Sequence, residues 1–174
     1  SGPYEIGVAD VLLLATKAPA TSAEALTGIL AAESRRQGYT VQDDGTIAIP
    51  DVGRVRVAGM TVEEAEAEVF KALVAAQIEP TFSLEISEFN SKRASIGGAV
   101  AAPRLVPITI KPVSLAEALQ LSGGISAADV DHASIRLFRD GTLYQIPLTD
   151  FYASARYQNI TLLDGDAVFV DTEY

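Results

Sequence analysis

The sequence predicts an α+β fold: two small modules of mixed and antiparallel strands, each packed on a helix. Three observations point there. Short runs that alternate apolar and polar residues, such as "TIAIP", "TFSLEISEF" and "SIRLFR", are set apart by Gly, Asp and Pro turns. Two stretches change to a 3.6-residue period behind a Ser/Thr-x-x-Glu cap, at Thr61 and at Ser114. The polar break "NSKR" at Asn90–Arg93 divides the chain into residues 1–90 and 91–174, each running through strand, turn and helix. With 174 residues and 48% hydrophobic content, the chain suffices for two real but marginal cores, so the modules are expected to pack on each other or on copies of themselves.

In the first module, Tyr4–Ile6 and Val11–Leu14 read as short strands around a turn at Gly7–Asp10. "PATSAEALTGILAAESRRQG" reads as a helix with Thr21 or Ser22 as N-cap and Leu26, Ile29 and Leu30 on one face. Arg35 and Arg36 fall in its last turn and Gly38 stops it, while Gly28 weakens it by about 1 kcal/mol. Asp44-Gly45 signals a two-residue type I′ hairpin between "YTVQ" and "TIAIP". Pro50–Gly53 turns the chain again, and "RVRVA" assigns Val55 and Val57 to one face and Arg54 and Arg56 to the other, giving a small antiparallel meander. From Thr61, capped with Glu64 in a capping box, Val62, Ala65, Val69, Ala72 and Leu73 form the buried stripe of a helix. Glu63, Glu66 and Glu68 fall outside that stripe and read as a solvated face, not as paired catalytic acids. The strand "TFSLEISEF" then points Phe82, Leu84 and Ile86 inward.

In the second module, "ASIGGAV" and "VPITI" read as strands around a Pro-marked loop. "VSLAEALQLSGGI" is a helix capped by Ser114 with Glu117 at the third position, its apolar face Leu115, Ala118 and Leu119, its end at Gly123. Asp140-Gly141, between "SIRLFR" and "TLYQIPL", and Asp164-Gly165-Asp166, between strands "NITLL" and "AVFVD", close a mixed sheet around that one helix.

Charge and composition exclude several functions. Against 13 Lys+Arg stand 23 Asp+Glu, a net charge of −10 that opposes the phosphate neutralisation nucleic-acid binding requires and repels an anionic membrane surface. No cysteine is present, which removes disulfides, thiolate-bound zinc and a thiol nucleophile. The apolar run Val11–Ala15 is far short of the roughly 20 residues of a spanning helix. Ser1 and Gly2 read as a cloning remnant, with any targeting segment expected upstream.

No constellation for chemistry emerges. His132, in "ADVDHAS" with Asp129 and Asp131, is the sole imidazole and reads as part of a polar loop between a helix and a strand. Asp164–Asp166 lacks the other ligands of a calcium loop and reads as a turn. Gly97-Gly98 and Gly123-Gly124 build no phosphate cradle, and no serine lies in a nucleophile elbow. Asp43-Asp44 and Glu63-Glu64 would act as a glycosidase pair only if folding set them across a cleft; turn and cap roles account for both. The sequence therefore assigns no catalytic, cofactor-binding or metal-ligating residue, no cofactor and no enzymatic activity, and fixes no binding residue.

"YEIGVADVL" followed by "YTVQDDGTIAIPDVGRVRVAGMTVEEAEAEV" resembles the signature of the bacterial outer-membrane polysaccharide export family, the Wza-type translocons of capsule and exopolysaccharide. "SKRASIGGAVAAPRLVPI", "SLAEALQLSGGISAAD", "IRLFRDG" and "NITLLDGDAVFVD" are similar to the SLBB (soluble ligand-binding β-grasp) domain that follows it in such proteins. The resemblance covers nearly the whole chain and implies an export domain at 1–90 and a β-grasp-like SLBB domain at 91–174. It implies a non-enzymatic, homo-oligomeric ring at the periplasmic face of the outer membrane of a Gram-negative bacterium, in weak contact with polysaccharide cargo and with an inner-membrane co-polymerase that sets chain length. An acidic, site-poor lining suits a sliding polymer, because tight binding would slow release.

Three features depart from the family pattern. Neither the lipid-bearing N-terminal cysteine nor the C-terminal membrane-spanning amphipathic helix lies in this stretch. The segment from Ala15 to Gln37 reads as a long insertion, with Arg35 and Arg36 placed to meet a neighbour's Glu63 or Glu66 in a ring. Arg104 stands where many relatives carry glycine and reads as a solvated loop residue. The alternative reading is a free-standing periplasmic carbohydrate-binding module, with Tyr152 and Tyr157 as stacking candidates.

Overall fold

A computed structural model describes residues 2–17 and 34–172, divided into two compact units, Ser1–Ser91 and Lys92–Tyr174. The α+β class holds in both. In the first unit, strands β1 (Val11–Lys17), β2 (Ser34–Thr40) and β5 (Phe82–Glu88) form an antiparallel sheet in the order β2-β1-β5, and β3 (Thr46–Ile49) pairs with β4 (Gly53–Arg56) as a hairpin. Helix α1 (Val62–Ala75) packs against β4 and β5 and buries Ala65, Val69 and Leu73. These meet Leu12, Leu14, Ile47, Val55, Val57 and Leu84 in one core. The alternation in "RVRVA" is realised: Val55 and Val57 are buried, Arg54 and Arg56 exposed. Thr61 and Glu64 make the full capping box.

Several expectations for this unit are corrected. Tyr4–Ile6 is not a strand; Ile6 instead exchanges backbone bonds with Gly59 and Met60, held to a turn and not to a ladder. Arg35–Gly38 belong to β2, not to the end of a helix: cross-strand pairing with β1, Arg36 opposite Ala15 and Gly38 opposite Leu13, overrides the local helix propensity. The remainder of the expected helix and of the 15–37 insertion, residues 18–33, lies outside the described residues. Asp44-Gly45 does not form a type I′ hairpin. Only Gly45 has positive φ (83°), Gly45 N donates to Gln42 O at 2.9 Å, and β2 has already ended at Thr40, paired with β1. The turn thus joins two sheets, because the backbone edge of Tyr39 and Thr40 is already paired with Leu12 and Val11 of β1.

The second unit is a five-stranded mixed sheet in the order β7-β6-β10-β8-β9: β6 (Arg93–Gly98), β7 (Arg104–Pro107), β8 (Ala133–Arg139), β9 (Thr142–Pro147) and β10 (Ala167–Thr172), with β6 and β10 parallel. One face carries Ala94, Ile96, Val106, Ile135, Leu137, Val168 and Val170 against helix α2 (Leu115–Leu121), which contributes Leu115, Ala118 and Leu119. Asp140 and Gly141 both have positive φ, as the expected two-residue hairpin between β8 and β9 requires. Gly98, which builds no phosphate cradle, has a different role: its φ is +79°, and an added Cβ would land on the Val170 carbonyl of β10.

Here too the structure corrects the sequence reading. The strand expected at "VPITI" is Arg104–Pro107. "NITLL" is no strand; Thr161 makes only an isolated bridge to Ser114. The unit holds more than one helix: α3 (Leu148–Ala153) and α4 (Ala155–Gln158) follow β9, and Leu148 and Phe151 enter the core. Their brevity hid them from a periodicity that needs about 11 residues to register. His132 ends a 3₁₀ turn (Val130–His132). Among the described residues, no helix is long and apolar enough to cross a membrane.

Candidate functional site

Two buried carboxylates organise the chain, and the sequence reading gave neither a role of this kind. Asp10, wholly buried, accepts five hydrogen bonds: from Gly7 N (3.0 Å), Tyr4 Oη (2.7 Å) and Ser91 Oγ (2.9 Å) on Oδ2, and from Asn90 N (2.8 Å) and Ser91 N (2.9 Å) on Oδ1. Burial pushes its carboxyl up, but the Gly7, Tyr4, Asn90 and Ser91 donors outweigh burial and hold it below its ordinary value. Tyr4 also sets its ring edge-on to Phe89 with centroids 5.1 Å apart. Asp10 therefore fastens the start of the first unit to its last residues.

Asp166 is equally buried but paired with a cation. Arg139 grips it in a two-pronged contact, Nε at 3.0 Å and Nη2 at 2.7 Å, while Leu163 N donates to it at 2.7 Å. The Asp166 carboxylate in turn holds the Arg139 guanidinium above its usual range. Asp164 accepts from Arg93 N at 3.0 Å, so the "DGD" turn spends its carboxylates on strand ends.

The other sequence candidates do not converge. His132 Nδ1 lies 2.6 Å from Asp129 Oδ2 on an exposed turn, and that contact comes first among the influences lowering the Asp129 carboxyl. Asp44 accepts from Thr46 N and Oγ1 and pairs with Arg54 Nη1 at 2.9 Å, whereas Glu64 serves the helix cap. Arg104, expected in a solvated loop, lies on β7 and donates Nη1 to Leu121 O at 2.8 Å, a cation on the last carbonyls of α2.

A concave site does exist in the second unit. A pocket of ≈ 250 Å³ is lined by Leu119 and Gln120 of α2, Ile125 after it, Phe151 and Tyr152 of α3, and Gln158 of α4. Phe151 is buried, its ring 5.5 Å from that of Tyr152, which is about half exposed. Gln158 Nε2 donates to the Phe151 and Tyr152 carbonyls at 3.0 and 3.3 Å, tying α4 to the end of α3. Of the two sequence-named tyrosines, Tyr152 lines this pocket; Tyr157 is half-buried and packs against the core. The glutamines carried no signal in the sequence, since only the α2–α3–α4 packing gathers them.

On the opposite face of the same sheet several large apolar side chains are exposed. Register aligns Leu105, Ser95, Ala167, Phe138 and Leu143 in one row across all five strands, with Phe169 one row on. Leu105, Phe138, Leu143 and Phe169 are all exposed there. Beside them Arg136 Nη2 meets Asp171 Oδ2 at 2.7 Å.

Comparison with known proteins agrees with this architecture. Residues 1–87 match the polysaccharide biosynthesis/export protein family and residues 92–170 match the SLBB domain. The chain is 30% identical over 135 residues to the EPS I polysaccharide export outer membrane protein EpsA of Ralstonia nicotianae, covering 77% of this chain and 35% of that protein. It is 26% identical over 180 residues to EpsA of Ralstonia solanacearum, covering 97% and 48%, and 27% identical to the capsule polysaccharide export protein BexD of Haemophilus influenzae, covering 77% and 34%. It thus spans between about a third and a half of the length of these relatives. With one family match filling the first half and an SLBB match filling most of the second, the chain belongs to the polysaccharide biosynthesis/export protein family.

Proposed function

We propose that this chain is the periplasmic portion of an outer-membrane export channel for capsule or exopolysaccharide, a ring-forming conduit component that performs no reaction on its cargo. The observation that carries this reading is the pair of family matches that tile the chain, in relatives all named for polysaccharide export. Residues 1–90 are then the export domain and residues 91–174 the SLBB domain. Local chemistry supports the absence of catalysis: Asp10, Asp44, Asp164 and Asp166 are each occupied by internal donors, which leaves them poorly placed for proton transfer to a substrate. The exposed apolar row supports assembly, because a sheet face of this kind is ordinarily buried against another surface. Six Lys/Arg against fourteen Asp/Glu in residues 1–91 give the first module the character to repel an anionic polymer. Cargo contacts are weak, and the inner-membrane partner is a polysaccharide co-polymerase.

The test is genetic and biochemical. Deleting the full-length protein should remove polysaccharide from the cell surface while synthesis continues, and re-expression should restore it; unchanged surface polysaccharide in the deletion strain overturns the reading. Size analysis of the full-length protein extracted from membranes should give a ring, and a monomer there would count against the conduit.

A further inference from the structure

We propose that the pocket between α2, α3 and α4 is a subsite for a single uncharged pyranose ring of the passing polymer, stacked on Tyr152. The proposal rests on the export reading only for the class of ligand; the pocket itself is argued from its walls.

The volume, ≈ 250 Å³, sits just under the roughly 300–1,000 Å³ of clefts that enclose a drug-sized ligand, so it admits one ring and not an extended oligomer. Its walls are of two kinds. Leu119, Ile125 and the Phe151–Tyr152 pair form an apolar side, with Tyr152 half open to solvent and its neighbour Phe151 buried behind it. Gln120 and Gln158 form an amide side. A pyranose has the same division: a face of C–H groups that packs on an aromatic ring, and a girdle of hydroxyls that both donate and accept.

The amides are suitably disposed. Gln158 is fixed by its Nε2 bonds to the Phe151 and Tyr152 carbonyls, which orients its side-chain carbonyl without using it up. Gln120 is exposed on α2, and while its backbone carbonyl accepts from Gly123 N at 3.0 Å, its side-chain amide makes no hydrogen bond among the described residues, so its donors and acceptor remain open to a ligand. Among the described residues no charged side chain lines the pocket, and the chain as a whole carries a net charge of −10, which selects against a uronate or phosphate. One aromatic contact and two amides predict dissociation constants of about 1 mM or weaker, as a conduit that must release every residue requires.

The test is a heteronuclear NMR titration of this 174-residue chain with methyl α-D-glucopyranoside and methyl β-D-galactopyranoside, with sodium glucuronate as the charged comparison. The proposal expects saturable shifts at the Gln120 and Gln158 side-chain amides and the Tyr152 ring with at least one neutral pyranoside, and at least several-fold weaker response to glucuronate. Tyr152→Ala should weaken binding at least about fivefold and Gln120→Ala about threefold. Both positions are exposed, so both variants should keep the wild-type amide spectrum elsewhere. Tyr144→Ala, at an exposed tyrosine outside the pocket, should bind as the wild type does. Absence of shifts up to about 100 mM of both pyranosides, equal response to glucuronate, or undiminished binding by Tyr152→Ala overturns the subsite. Such a failure leaves the export reading intact, whereas unchanged surface polysaccharide on deletion overturns export whatever the titration shows.

Discussion

Asp10 and Asp166 face the same problem in the two modules and meet it differently. Each is a buried carboxylate that ties down a turn, Asp10 by bonding Gly7 of its own turn and Asn90 and Ser91 beyond the end of β5, Asp166 by bonding Leu163 of its own turn and Arg139 of β8. Asp10 does so with neutral donors alone, three backbone amides and two hydroxyls, and no cation within its hydrogen-bond set. Asp166 does so with a guanidinium and one amide. A carboxylate surrounded by amides keeps its charge because every lone pair is satisfied, and losing any one donor removes a fraction of that support. A carboxylate held by an arginine depends on a single partner, and losing it strands the charge. The first module therefore distributes the risk over many bonds; the second concentrates it in one side chain.

The largest break in this comparison should come from Arg139→Met. It leaves Asp166, with its side chain 1% exposed, without its cation and should cost the second module about 3–5 kcal/mol. Thermal unfolding followed by resonances from each module should show the loss in residues 92–172 alone; equal loss in both modules would refute the independence of the two networks. Asp10→Ala should cost the first module about 2–4 kcal/mol, because it orphans the Gly7, Asn90 and Ser91 amides together. Limited proteolysis near Asn90 should accelerate in parallel.

Acid titration sharpens the same contrast. The folded-state pKa of Asp10 lies below its ordinary value of 3.8, so the native state favours the ionised form. The stability this confers is fully present above that ordinary value and is lost as pH falls through the lower folded value. Wild-type first-module stability should therefore decline as pH drops below about 4, and Asp10→Asn should show a flatter profile over that window. A variant with an unchanged slope would remove Asp10 as the responsible group.

The smallest effects compare the two helix caps. Thr61→Ala and Ser114→Ala should each cost about 1 kcal/mol, since each hydroxyl accepts from the amide three residues on. Glu64→Ala should add a loss of a few tenths to about 1 kcal/mol, because its carboxylate returns to the Thr61 amide at 3.2 Å. Glu117 instead meets the Ser114 hydroxyl at 3.2 Å, and Glu117→Ala should cost less than Glu64→Ala in melting-temperature measurements.

Much of the fold was legible because its signals were local. Thr61 with Glu64, Ser114 with Leu115, Ala118 and Leu119, the Asp140-Gly141 hairpin and the alternation at Val55 and Val57 are each decided within a few residues. Arg35–Gly38 misled because helix propensity there is real but weaker than pairing with β1. Asp44-Gly45 misled because a turn sequence states that the chain reverses, not which strand it will join. The pocket was half legible: Tyr152 stood out as an aromatic, while Gln120 and Gln158, 38 positions apart, gave no hint of each other.

The sequence by itself determined the α+β class, the two helix starts, the main turns and the acidic balance, since periodicity, capping and charge are properties of neighbouring residues. Only the tertiary structure decided that Asp10 binds Asn90 and Ser91, that Arg139 serves Asp166, that β2 pairs with β1 and that two glutamines flank Tyr152. Those facts depend on burial, which withdraws water from a polar group and obliges it to find a partner wherever the chain happens to bring one.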